Sequence, residues 1–243
     1  MPIEFREKII LVTGGTSGIG WGIAEAFAAA GARVTVTGLT AEETELANER
    51  GAGRGIHALP MDVTSAESVA RLVETLPQLD VLVNSAGAIR RRDEYDLAVF
   101  ERVVAINLTG TMRMCEATRP LLAVSRGTIV NVGSMYSFFG AAHAPGYASS
   151  KGAVVQLTKS LAREYAPQQI RVNAVAPGWI KTRITEPVFS DPVRSAPIVD
   201  RTPLARWGEP RDVAGPVLFL CSPAAAFITG VTLPVDGGYL LTG

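Results

Sequence analysis

Ser134, Tyr147 and Lys151 are the residues of this 243-residue chain whose types and spacing best suit acid–base chemistry. Tyr147 and Lys151 are four positions apart, so on a helix their side chains share one face and can touch the same ligand. A phenol, with an ordinary pKa of roughly 10, is a poor acid–base catalyst at neutral pH unless a nearby cation favours the phenolate. Ser134 can donate a hydrogen bond to an oxygen on which charge develops. Because a helical tyrosine is usually core and a lysine usually a surface charge, this pair indicates catalysis only together with other motifs.

A glycine-rich turn lies near the start of the chain. Residues 13–20 read Thr-Gly-Gly-Thr-Ser-Gly-Ile-Gly and stand between an apolar run at 9–12 and a helical stretch at 21–30. Glycines let backbone N–H groups approach a diphosphate, and the start of the helix adds partial positive charge. The spacing is G-x3-G-x-G rather than G-x-G-x-x-G, and any tight strand-to-helix turn uses glycine. Its position after the first strand nevertheless predicts a dinucleotide-binding turn.

Two further segments follow predicted strands. Asp62 and Val63 end the third strand, where a carboxylate can accept a hydrogen bond from an adenine amino group; an ordinary turn acid is about equally consistent. Residues 84–87, Asn-Ser-Ala-Gly, end the fourth strand with small side chains that let a ribose or a nicotinamide pass. Because ligands bind at the carboxyl ends of parallel strands, these segments are expected to meet the glycine turn in one crevice.

Short β-branched runs alternate with longer helical stretches along the chain. Strands are predicted at 9–12, 34–37, 55–61, 80–83, 128–132, 172–175 and 231–235. Helices are predicted at 21–30, 42–50, 65–76 with Ser65 as N-cap, 96–124 with an interruption near Asn107, and 147–165. This alternation predicts an α/β protein: a Rossmann-type, doubly wound parallel sheet of about seven strands with helices on both faces. Residues 1–243 are expected to form a single domain, in which the Pro-, Arg- and Thr-rich segment 178–207 serves as a substrate lid.

Composition and charge exclude several classes of protein. The chain has 23 basic and 23 acidic side chains, so it has no electrostatic reason to bind nucleic acid or an anionic membrane. No apolar run is long enough for a membrane span, and the first residues lack the apolar core of a signal peptide. Cys115 and Cys221 stand outside any CxxC pair and are expected to be buried thiols. We expect a soluble, cytoplasmic protein without a bound metal.

The sequence resembles the classical short-chain dehydrogenase/reductase family over essentially its whole length. The resemblance rests on residues 13–20, Asp62, residues 84–87, Asn107, Ser134, Tyr147, Lys151, Pro177 and Gly178. Ser85 departs from the commoner Asn-Asn of this motif, which puts little in doubt. The resemblance implies that Tyr147 is the general acid/base, that Ser134 steadies the reacting oxygen, and that Lys151 binds the nicotinamide ribose and lowers the tyrosine pKa. It also implies that Asn107 holds a water joining Lys151 to solvent, and that the family assembles as a homotetramer.

The resemblance also assigns contacts to the nicotinamide dinucleotide. Thr182 matches the threonine that contacts the carboxamide and diphosphate region. The complete set of cofactor-binding residues predicted is Gly14, Thr16, Ser17, Gly18, Ile19, Gly20, Leu39, Asp62, Val63, Asn84, Ala86, Gly87, Tyr147, Lys151, Pro177, Gly178, Ile180 and Thr182.

The end of the second strand discriminates between the two nicotinamide cofactors. An acid there binds the ribose hydroxyls of NAD, whereas an arginine binds the 2′-phosphate of NADP. Residues 37–40 read Thr-Gly-Leu-Thr, with neither an acid nor an arginine, and Ser17 is not basic either. Because a phosphate dianion without a cation is poorly held, NAD is favoured. NADP stays open, since the Thr37 and Thr40 hydroxyls can hydrogen-bond a phosphate.

Candidate substrate residues follow the fourth and fifth strands. Arg90, Arg91 and Arg92 can receive a carboxylate through paired N–H bonds, although a solvated loop of Arg–Asp/Glu pairs is slightly favoured. Met135, Tyr136, Phe138, His143 and Trp179 are expected near the pocket. His143 can bond a substrate hydroxyl, but a lone loop histidine is more often simply solvated. Segments 88–91, 133–138 and 206–208 are similar to family members acting on sugars and sugar acids, namely 2-keto-3-deoxygluconate dehydrogenases and gluconate 5-dehydrogenases.

These observations together predict an oxidoreductase that moves a hydride between a nicotinamide dinucleotide and a secondary alcohol or ketone. The substrate is expected to be a sugar, sugar acid or polyol. One alternative is an NADPH-dependent 3-oxoacyl-thioester reductase, which shares the same core residues but should carry basic residues for the phosphate. The other is a non-catalytic dinucleotide-sensing protein, and against it stands the set of Asn107, Ser134, Tyr147 and Lys151, since a sensor needs no acid–base tyrosine.

Overall fold

A seven-stranded sheet forms the centre of the computed structural model, which describes residues 3–241. All strand pairs are parallel, and the strand order is β3-β2-β1-β4-β5-β6-β7. The strands are β1 (Ile9–Thr13), β2 (Arg33–Gly38), β3 (Ile56–Pro60), β4 (Val81–Asn84), β5 (Thr128–Val132), β6 (Arg171–Pro177) and β7 (Thr232–Val235). The predicted parallel sheet of seven strands is therefore confirmed.

Helices cover both faces of this sheet. They are α1 (Gly18–Ala29), α2 (Ala41–Gly51), α3 (Ala66–Glu74), α4 (Leu97–Val104), α5 (Gly110–Ser125), α6 (Pro145–Tyr165), α7 (Glu186–Phe189), α8 (Pro192–Arg201) and α9 (Pro210–Cys221). Alternate residues of β1 point to opposite faces: Ile10 and Val12 pack in the core beneath α1 and α9, and Ile9 and Leu11 pack in the core beneath α3, α5 and α6. Because both faces are covered, every residue of β1 is buried, which explains its unbroken apolar run.

The helix boundaries differ from the predictions in ways that bear on the site. Helix α1 begins at Gly18, three residues earlier than predicted, inside the glycine turn itself. The predicted interruption near Asn107 is a π-helical turn, Ala105–Thr109, which joins α4 to α5 without a break. Helix α9 lies outside the predicted elements, because Gly215 and Pro216 obscure its helical pattern. Ser65 is the N-cap of α3, as predicted, with its hydroxyl accepting from Ser68 N–H at 3.1 Å.

The order of the strands places a crevice between β1 and β4. Starting from β1, the chain first adds β2 and β3 on one side and then crosses to add β4 through β7 on the other. Loops leaving the carboxyl ends of β1 and β4 therefore diverge, and the gap between them is where open α/β sheets bind ligands. The glycine turn and residues 84–87 stand on either side of this gap.

The thiols, the helix lengths and the grouping of possible metal ligands complete the description of the fold. Both cysteines are buried and unpaired, as predicted. None of the helices within residues 3–241 is both long and apolar enough to cross a membrane. The same residues contain no group of three or more His, Cys, Asp or Glu side chains arranged to hold a metal ion.

Candidate active site

The glycine turn after β1 requires glycine at two positions for different reasons. Gly14 has φ of +60°, and a Cβ there would lie 2.6 Å from Ala86 Cα, so the turn packs directly against the segment that follows β4. A Cβ on Gly20 would lie 2.4 Å from the Gly14 carbonyl oxygen. The turn is thus held in a conformation that other residues would disrupt.

The start of α1 has open hydrogen-bond donors. Its N-cap, Ser17, is exposed and makes no side-chain capping bond, and the first turn of α1 contains no acid. Across from it lies Thr182, whose Cγ2 would be 3.3 Å from a Cβ on Gly18. A helix start with unsatisfied N–H groups and a positive dipole end is a site for an anion, so the cradle fits the diphosphate of a dinucleotide. Thr16 and Ile19, also predicted here, are half-buried in the same turn.

The segment after β4 contributes main chain rather than side chain. Ser85 and Ala86 N–H groups donate to the Thr13 hydroxyl at 3.2 and 3.1 Å, which holds the segment close to β1. Asn84 stays a predicted cofactor-binding residue; its side chain is buried and donates to Asn131 Oδ1 at 2.9 Å. Asn84 points into the sheet because it is still part of β4, whereas Gly87 lies exposed at the crevice.

Asp62 has a structural role as well as a position at the crevice. Its Oδ1 accepts from Thr64 N–H at 2.8 Å and from the Thr64 hydroxyl at 2.7 Å, which closes the turn before α3. Asp62 Oδ1 therefore acts as an ordinary turn acid, which is the alternative that the sequence leaves open. Val63 is buried against Gly110, so only its main chain can face a ligand.

The end of β2 differs from the sequence-based expectation. Thr37 is 1% exposed and its hydroxyl accepts from Gly14 N–H at 3.4 Å, so it cannot be the phosphate ligand of the alternative hypothesis. Thr40 is the N-cap of α2 and accepts from Glu43 N–H at 3.2 Å. Both hydroxyls thus accept hydrogen bonds that hold the turn, and the Leu39 side chain, 60% exposed, stands open at this edge.

An acid does lie at the end of β2, and it is Glu43 from the first turn of α2. Its Oε2 accepts from Leu39 N–H at 2.9 Å and would lie 3.1 Å from a Cβ on Gly38. Its Oε1 is 4.0 Å from Arg183 Nη2, in the segment predicted to be the lid. Residues 37–40 themselves contain no acid, as predicted, and the carboxylate comes from the following helix. The signal in the sequence was Thr40-x-x-Glu43, a capping-box pattern that folds the glutamate back over the strand end.

Ser134, Tyr147 and Lys151 meet beyond the carboxyl end of β5. Ser134 lies two residues beyond the end of β5, is 6% exposed, and accepts from Tyr136 N–H at 3.2 Å. Tyr147 lies in the first turn of α6 and Lys151 in the next, with Lys151 Nζ 5.7 Å from the centroid of the Tyr147 ring. Lys151 is 4% exposed, and Nζ donates to the Val132 carbonyl at 2.7 Å.

Burial dominates the protonation of these groups. It lowers the pKa of Lys151 to about 8 and raises that of Tyr147 above its ordinary value. A hydrogen bond with Ser134 opposes the rise in the tyrosine pKa, and the charge of Glu94 adds to it. Lys151 Nζ lies 5.7 Å from the centroid of the Tyr147 ring, and an ammonium at that position carries the sign of charge that favours the phenolate.

Asn107 sits in the π-helical turn and faces the same place. Its Oδ1 accepts from Ala88 N–H at 2.8 Å, and its Nδ2 donates to the Ala88 carbonyl at 2.9 Å and to Ser150 Oγ at 3.0 Å. A Cβ on Gly87 would lie 3.4 Å from Asn107 Oδ1 and 3.5 Å from Lys151 Nζ. The asparagine amide and the ammonium thus both lie within 3.5 Å of the point that a side chain at position 87 would occupy, which explains why a glycine suits this position.

Aromatic rings form one wall beside the tyrosine. The Tyr136 ring packs edge-on against Tyr147, His143 and Trp179, with centroids 6.2, 5.9 and 6.5 Å apart. His143 is half-buried in this cluster rather than freely solvated. Trp179 in turn packs against Trp207 at 5.4 Å. The structure therefore brings the predicted residues Tyr136, His143 and Trp179 together with the tyrosine, whereas Met135 is 2% exposed and belongs to the core.

The arginines after β4 were expected either to bind a substrate carboxylate or to form a solvated loop of Arg–Asp/Glu pairs. Arg90, Arg91 and Arg92 form no ion pair with an acid in the described part of the chain, so the expected Arg–Asp/Glu loop is not observed. Arg91 Nη2 donates to the Ile184 carbonyl at 3.1 Å. Arg91 thus connects this loop to the opposite segment, and Arg90 is the exposed arginine nearest the crevice by sequence.

Segment 178–207 is more ordered than its composition indicates. It contains α7 and α8, and a bridge between Ile180 and Gly208 closes its two ends. Gly178 N–H donates to the Val235 carbonyl at 3.0 Å, and a Cβ on Gly178 would lie 2.7 Å from Asp236 Cα. Pro177 and Ile180 are buried, so their contacts with a ligand are limited to main chain.

A parallel sheet with a glycine-rich turn at its switch point and a Ser–Tyr–Lys group beside it defines a dinucleotide-dependent oxidoreductase. The chain belongs to the classical short-chain dehydrogenase/reductase family: the family model described as "Enoyl-(Acyl carrier protein) reductase" matches residues 14–240. It is accordingly an NAD(P)-dependent dehydrogenase/reductase acting on CH–OH groups.

Individual relatives differ in substrate. The chain is 39% identical to the 3-oxoacyl-[acyl-carrier-protein] reductase FabG of Aquifex aeolicus, covering 98% of this chain and 99% of the relative. It is 40% identical to the 2-dehydro-3-deoxy-D-gluconate 5-dehydrogenase of Bacillus subtilis, covering 98% and 96%. Among solved structures, the Pseudomonas aeruginosa RhlG/NADP active-site complex matches with a TM-score of 0.90 at 32% identity, covering 98% of both chains. Since a thioester reductase and a sugar-acid dehydrogenase are equally similar, overall identity does not select the substrate.

Proposed function

We propose that this protein is an NAD-linked dehydrogenase of a sugar, sugar acid or polyol, in which Tyr147 is the general acid/base. The observation that carries the proposal is the convergence of Ser134, Tyr147 and Lys151 beside an arginine-bearing loop at the switch-point crevice. A carboxylate or hydroxyl group of such a substrate would find the Arg90 guanidinium at the rim and the Tyr136 and His143 side chains in the wall.

The residues act on the substrate oxygen and its proton. Ser134 donates a hydrogen bond to the oxygen, and Tyr147 takes the hydroxyl proton on oxidation or gives it back on reduction. A nicotinamide held in this crevice would supply or accept the hydride, and the positive charge of its oxidised ring would favour the phenolate of Tyr147. The cradle of Gly14 and the open start of α1 would hold the diphosphate, and Thr182 would close over it.

Lys151 and Asn107 would relay the proton from Tyr147 to solvent. With a pKa lowered to about 8, Lys151 can exchange protons near neutral pH. Its Nζ donates to the Val132 carbonyl, and both Nζ and Asn107 Oδ1 lie within 3.5 Å of the Cβ position of Gly87. We infer that a water beside Asn107 joins this ammonium to solvent, and that Lys151 also holds the nicotinamide ribose.

Glu43 supports NAD as the preferred cofactor. Its carboxylate lies at the end of β2, where an acid accepts hydrogen bonds from ribose hydroxyls and repels a 2′-phosphate. Thr37 and Thr40, the residues expected to help a phosphate, have their hydroxyls engaged elsewhere. NADP must also be tested as the cofactor. A solved relative binds NADP, and Arg183, a cation that can meet a phosphate, lies 4.0 Å from Glu43.

A second candidate function is reduction of a 3-oxoacyl thioester with NADPH. It is favoured by the similarity to the Aquifex aeolicus reductase, which is as high as that to the sugar-acid enzyme. The wall of Tyr136 and Trp179 would tolerate an acyl chain. The acid at the end of β2 opposes this candidate, since it disfavours the phosphate of NADPH.

The remaining parts of the proposal concern organisation. We propose one domain over residues 1–243, in which segment 178–207 closes over the substrate and excludes water. A homotetramer is proposed on the family resemblance and on exposed apolar side chains such as Leu97 and Phe227, 69% and 105% exposed. A cytoplasmic location agrees with two unpaired cysteines. Light scattering that shows only monomer would contradict the assembly.

The experiment follows nicotinamide absorbance with NAD and NADP against sugar acids, aldoses and polyols, and with acetoacetyl thioesters in the reductive direction. NAD-linked oxidation of a sugar or sugar acid supports the proposal, and NADPH-linked thioester reduction supports the second candidate. Dinucleotide binding without turnover on the whole panel would favour a sensing protein. On the active substrate, Tyr147→Phe should fold normally and lose more than nine-tenths of the rate, or roughly 1.4 kcal/mol of barrier. A variant that keeps more than a tenth of the rate would show that Tyr147 is not the acid/base.

A further inference from the structure

Glu94 is a buried carboxylate that none of the proposed steps uses. It lies in the 3-10 helix Arg91–Tyr95 and is 1% exposed. One carboxylate oxygen accepts from Arg90 N–H at 2.7 Å, and the other accepts from Tyr147 N–H at 2.8 Å. A single side chain thus joins the arginine loop to the helix that carries the tyrosine, although 53 positions separate Glu94 from Tyr147.

Helix α6 has no cap of its own where Glu94 meets it. Its N-cap, Ala144, offers no side-chain acceptor, and Pro145 at its first position has no N–H. Glu94 supplies the missing acceptor to Tyr147 N–H from outside the helix, where the positive end of the dipole favours a carboxylate. Gly146 permits the approach, since a Cβ there would lie 3.3 Å from Glu94 Oε2 and 3.0 Å from Phe100 Cδ2.

A second hydrogen bond joins the arginine loop to the chain that leads into α6. The hydroxyl of Tyr95, the residue after Glu94, donates to the Ala142 carbonyl at 2.9 Å, just before α6 begins. The loop therefore holds both the start of the catalytic helix and the chain that leads into it. Movement of either partner would displace the other, because the two hydrogen bonds to Glu94 share one rigid carboxylate.

The charge of Glu94 has no cationic partner. None of the ion pairs within residues 3–241 includes it, so its charge is balanced by N–H donors and the helix dipole alone. The other titratable groups facing Tyr147 are Lys151 on its own helix and Tyr136 from the segment after β5, which His143 contacts in turn. Glu94 raises the pKa of Tyr147, in opposition to the hydrogen bond with Ser134.

We propose that Glu94 is a positioning residue for the reaction: it places Tyr147 against the arginine loop and supplies the negative field in which the phenol works. This inference rests on the proposed role of Tyr147. The carboxylate that caps α6 accepts from the backbone N–H of the acid/base itself, so it fixes the position of Tyr147 as well as the start of the helix. Its loss should therefore change turnover and its pH dependence more than it changes cofactor binding.

The test variant is Glu94→Gln, which keeps the shape but presents an N–H₂ group to one of the two backbone donors. With the substrate found in the panel, we expect kcat to fall at least about tenfold, because small displacements of a catalytic group are costly. We expect KM for the dinucleotide to stay within about twofold of the parent, since the glycine cradle is not touched. Removal of the negative charge lowers the pKa of Tyr147. When the rate of oxidation is plotted against pH, the limb that rises as the phenolate forms should therefore move to lower pH.

Two further variants separate placement from charge and from folding. Glu94→Asp keeps the charge but is one methylene shorter, so kcat should fall while the limb stays where it is in the parent. Asp93→Asn removes a charge from the exposed neighbouring position and should leave both kcat and the limb unchanged. Thermal melting of each variant identifies any that does not fold. If Glu94→Gln does not fold, Glu94→Asp tests the placement of Tyr147, and an unchanged kcat in Glu94→Asp would overturn the proposal.

The outcomes distinguish this inference from the proposed function. If Tyr147→Phe is inactive while Glu94→Gln matches the parent in kcat and in pH profile, the positioning role is wrong and the acid/base assignment stands. If Glu94→Gln lowers kcat without moving the limb, Glu94 is a scaffold residue only, which also overturns the proposal. If Tyr147→Phe stays active, the proposed function itself has failed.

Discussion

Neutralising Glu43 should shift the cofactor preference toward NADP. The carboxylate stands at the end of β2, held there by Leu39 N–H at 2.9 Å. Glu43→Gln removes its charge and keeps an oxygen that can accept the same hydrogen bond, so the start of α2 should be preserved. Without the carboxylate, the neighbouring Arg183, 4.0 Å away, is also released to meet a phosphate.

The size of the shift follows from the exposure of the site. A 2′-phosphate carries a charge of about −1.5 to −2, and two unit charges 4 Å apart repel by about 1 kcal/mol in water and about 4 kcal/mol at an effective dielectric constant near 20. The Glu43 side chain is 38% exposed, so the value for water is the better guide. A repulsion of about 1–2 kcal/mol corresponds to a change in cofactor selectivity of roughly tenfold.

The assay is the ratio of kcat/KM for NAD to kcat/KM for NADP on one substrate. We expect the parent ratio to exceed one and Glu43→Gln to lower it about tenfold. Glu42→Gln is the matched control, because Glu42 is the adjacent exposed acid in the same turn and is not hydrogen-bonded to the strand end. An unchanged ratio in Glu43→Gln, or a parent that prefers NADP, would refute the assignment of Glu43 as the acid that selects the ribose.

Two other substitutions test the cradle and the buried lysine. Gly14→Ala should raise the Kd for dinucleotide at least about tenfold, since its Cβ would lie 2.6 Å from Ala86 Cα. Gly53→Ala is the control, because Gly53 also has a positive φ but has open space around it; it should lower the free energy of unfolding only by the backbone strain of roughly 1 kcal/mol. Lys151→Met should abolish turnover yet stabilise the protein at pH 7 by up to about 3 kcal/mol, because burial lowers the lysine pKa from 10.5 to about 8. The penalty is fully present below pH 8 and is lost as pH rises to 10.5, so the unfolding free energies of variant and parent should converge there. Exposed Lys159→Met should show no such convergence.

Local patterns in the sequence were sufficient to predict the sheet and the chemistry of its central motifs. The apolar run of β1, the glycines after it and the four-residue spacing of Tyr147 and Lys151 are each properties of neighbouring residues. Such patterns depend on backbone conformation and on burial of one element, so they can be read without knowing the partner element. The predicted interruption of the helix near Asn107 is confirmed as a π-helical turn for the same reason.

Contacts between distant residues could not be predicted in this way. The sequence predicts only that Glu43 lies in a helix, that Asn84 ends a strand at the crevice and that Glu94 lies in a loop of Arg–Asp/Glu pairs. Their actual partners are the end of β2, Asn131 on β5 and the start of α6, which are decided by the folding of one element over another.

The sequence by itself therefore determined the class of fold, the dinucleotide turn and the candidate acid/base. Tertiary structure alone decided which carboxylates face that site, where Arg91 points and how burial shifts the pKa of Lys151 and Tyr147. The physical reason is that a side chain's direction, solvation and charged neighbours depend on packing between elements far apart in the chain, whereas a turn or a helical spacing is set by adjacent residues.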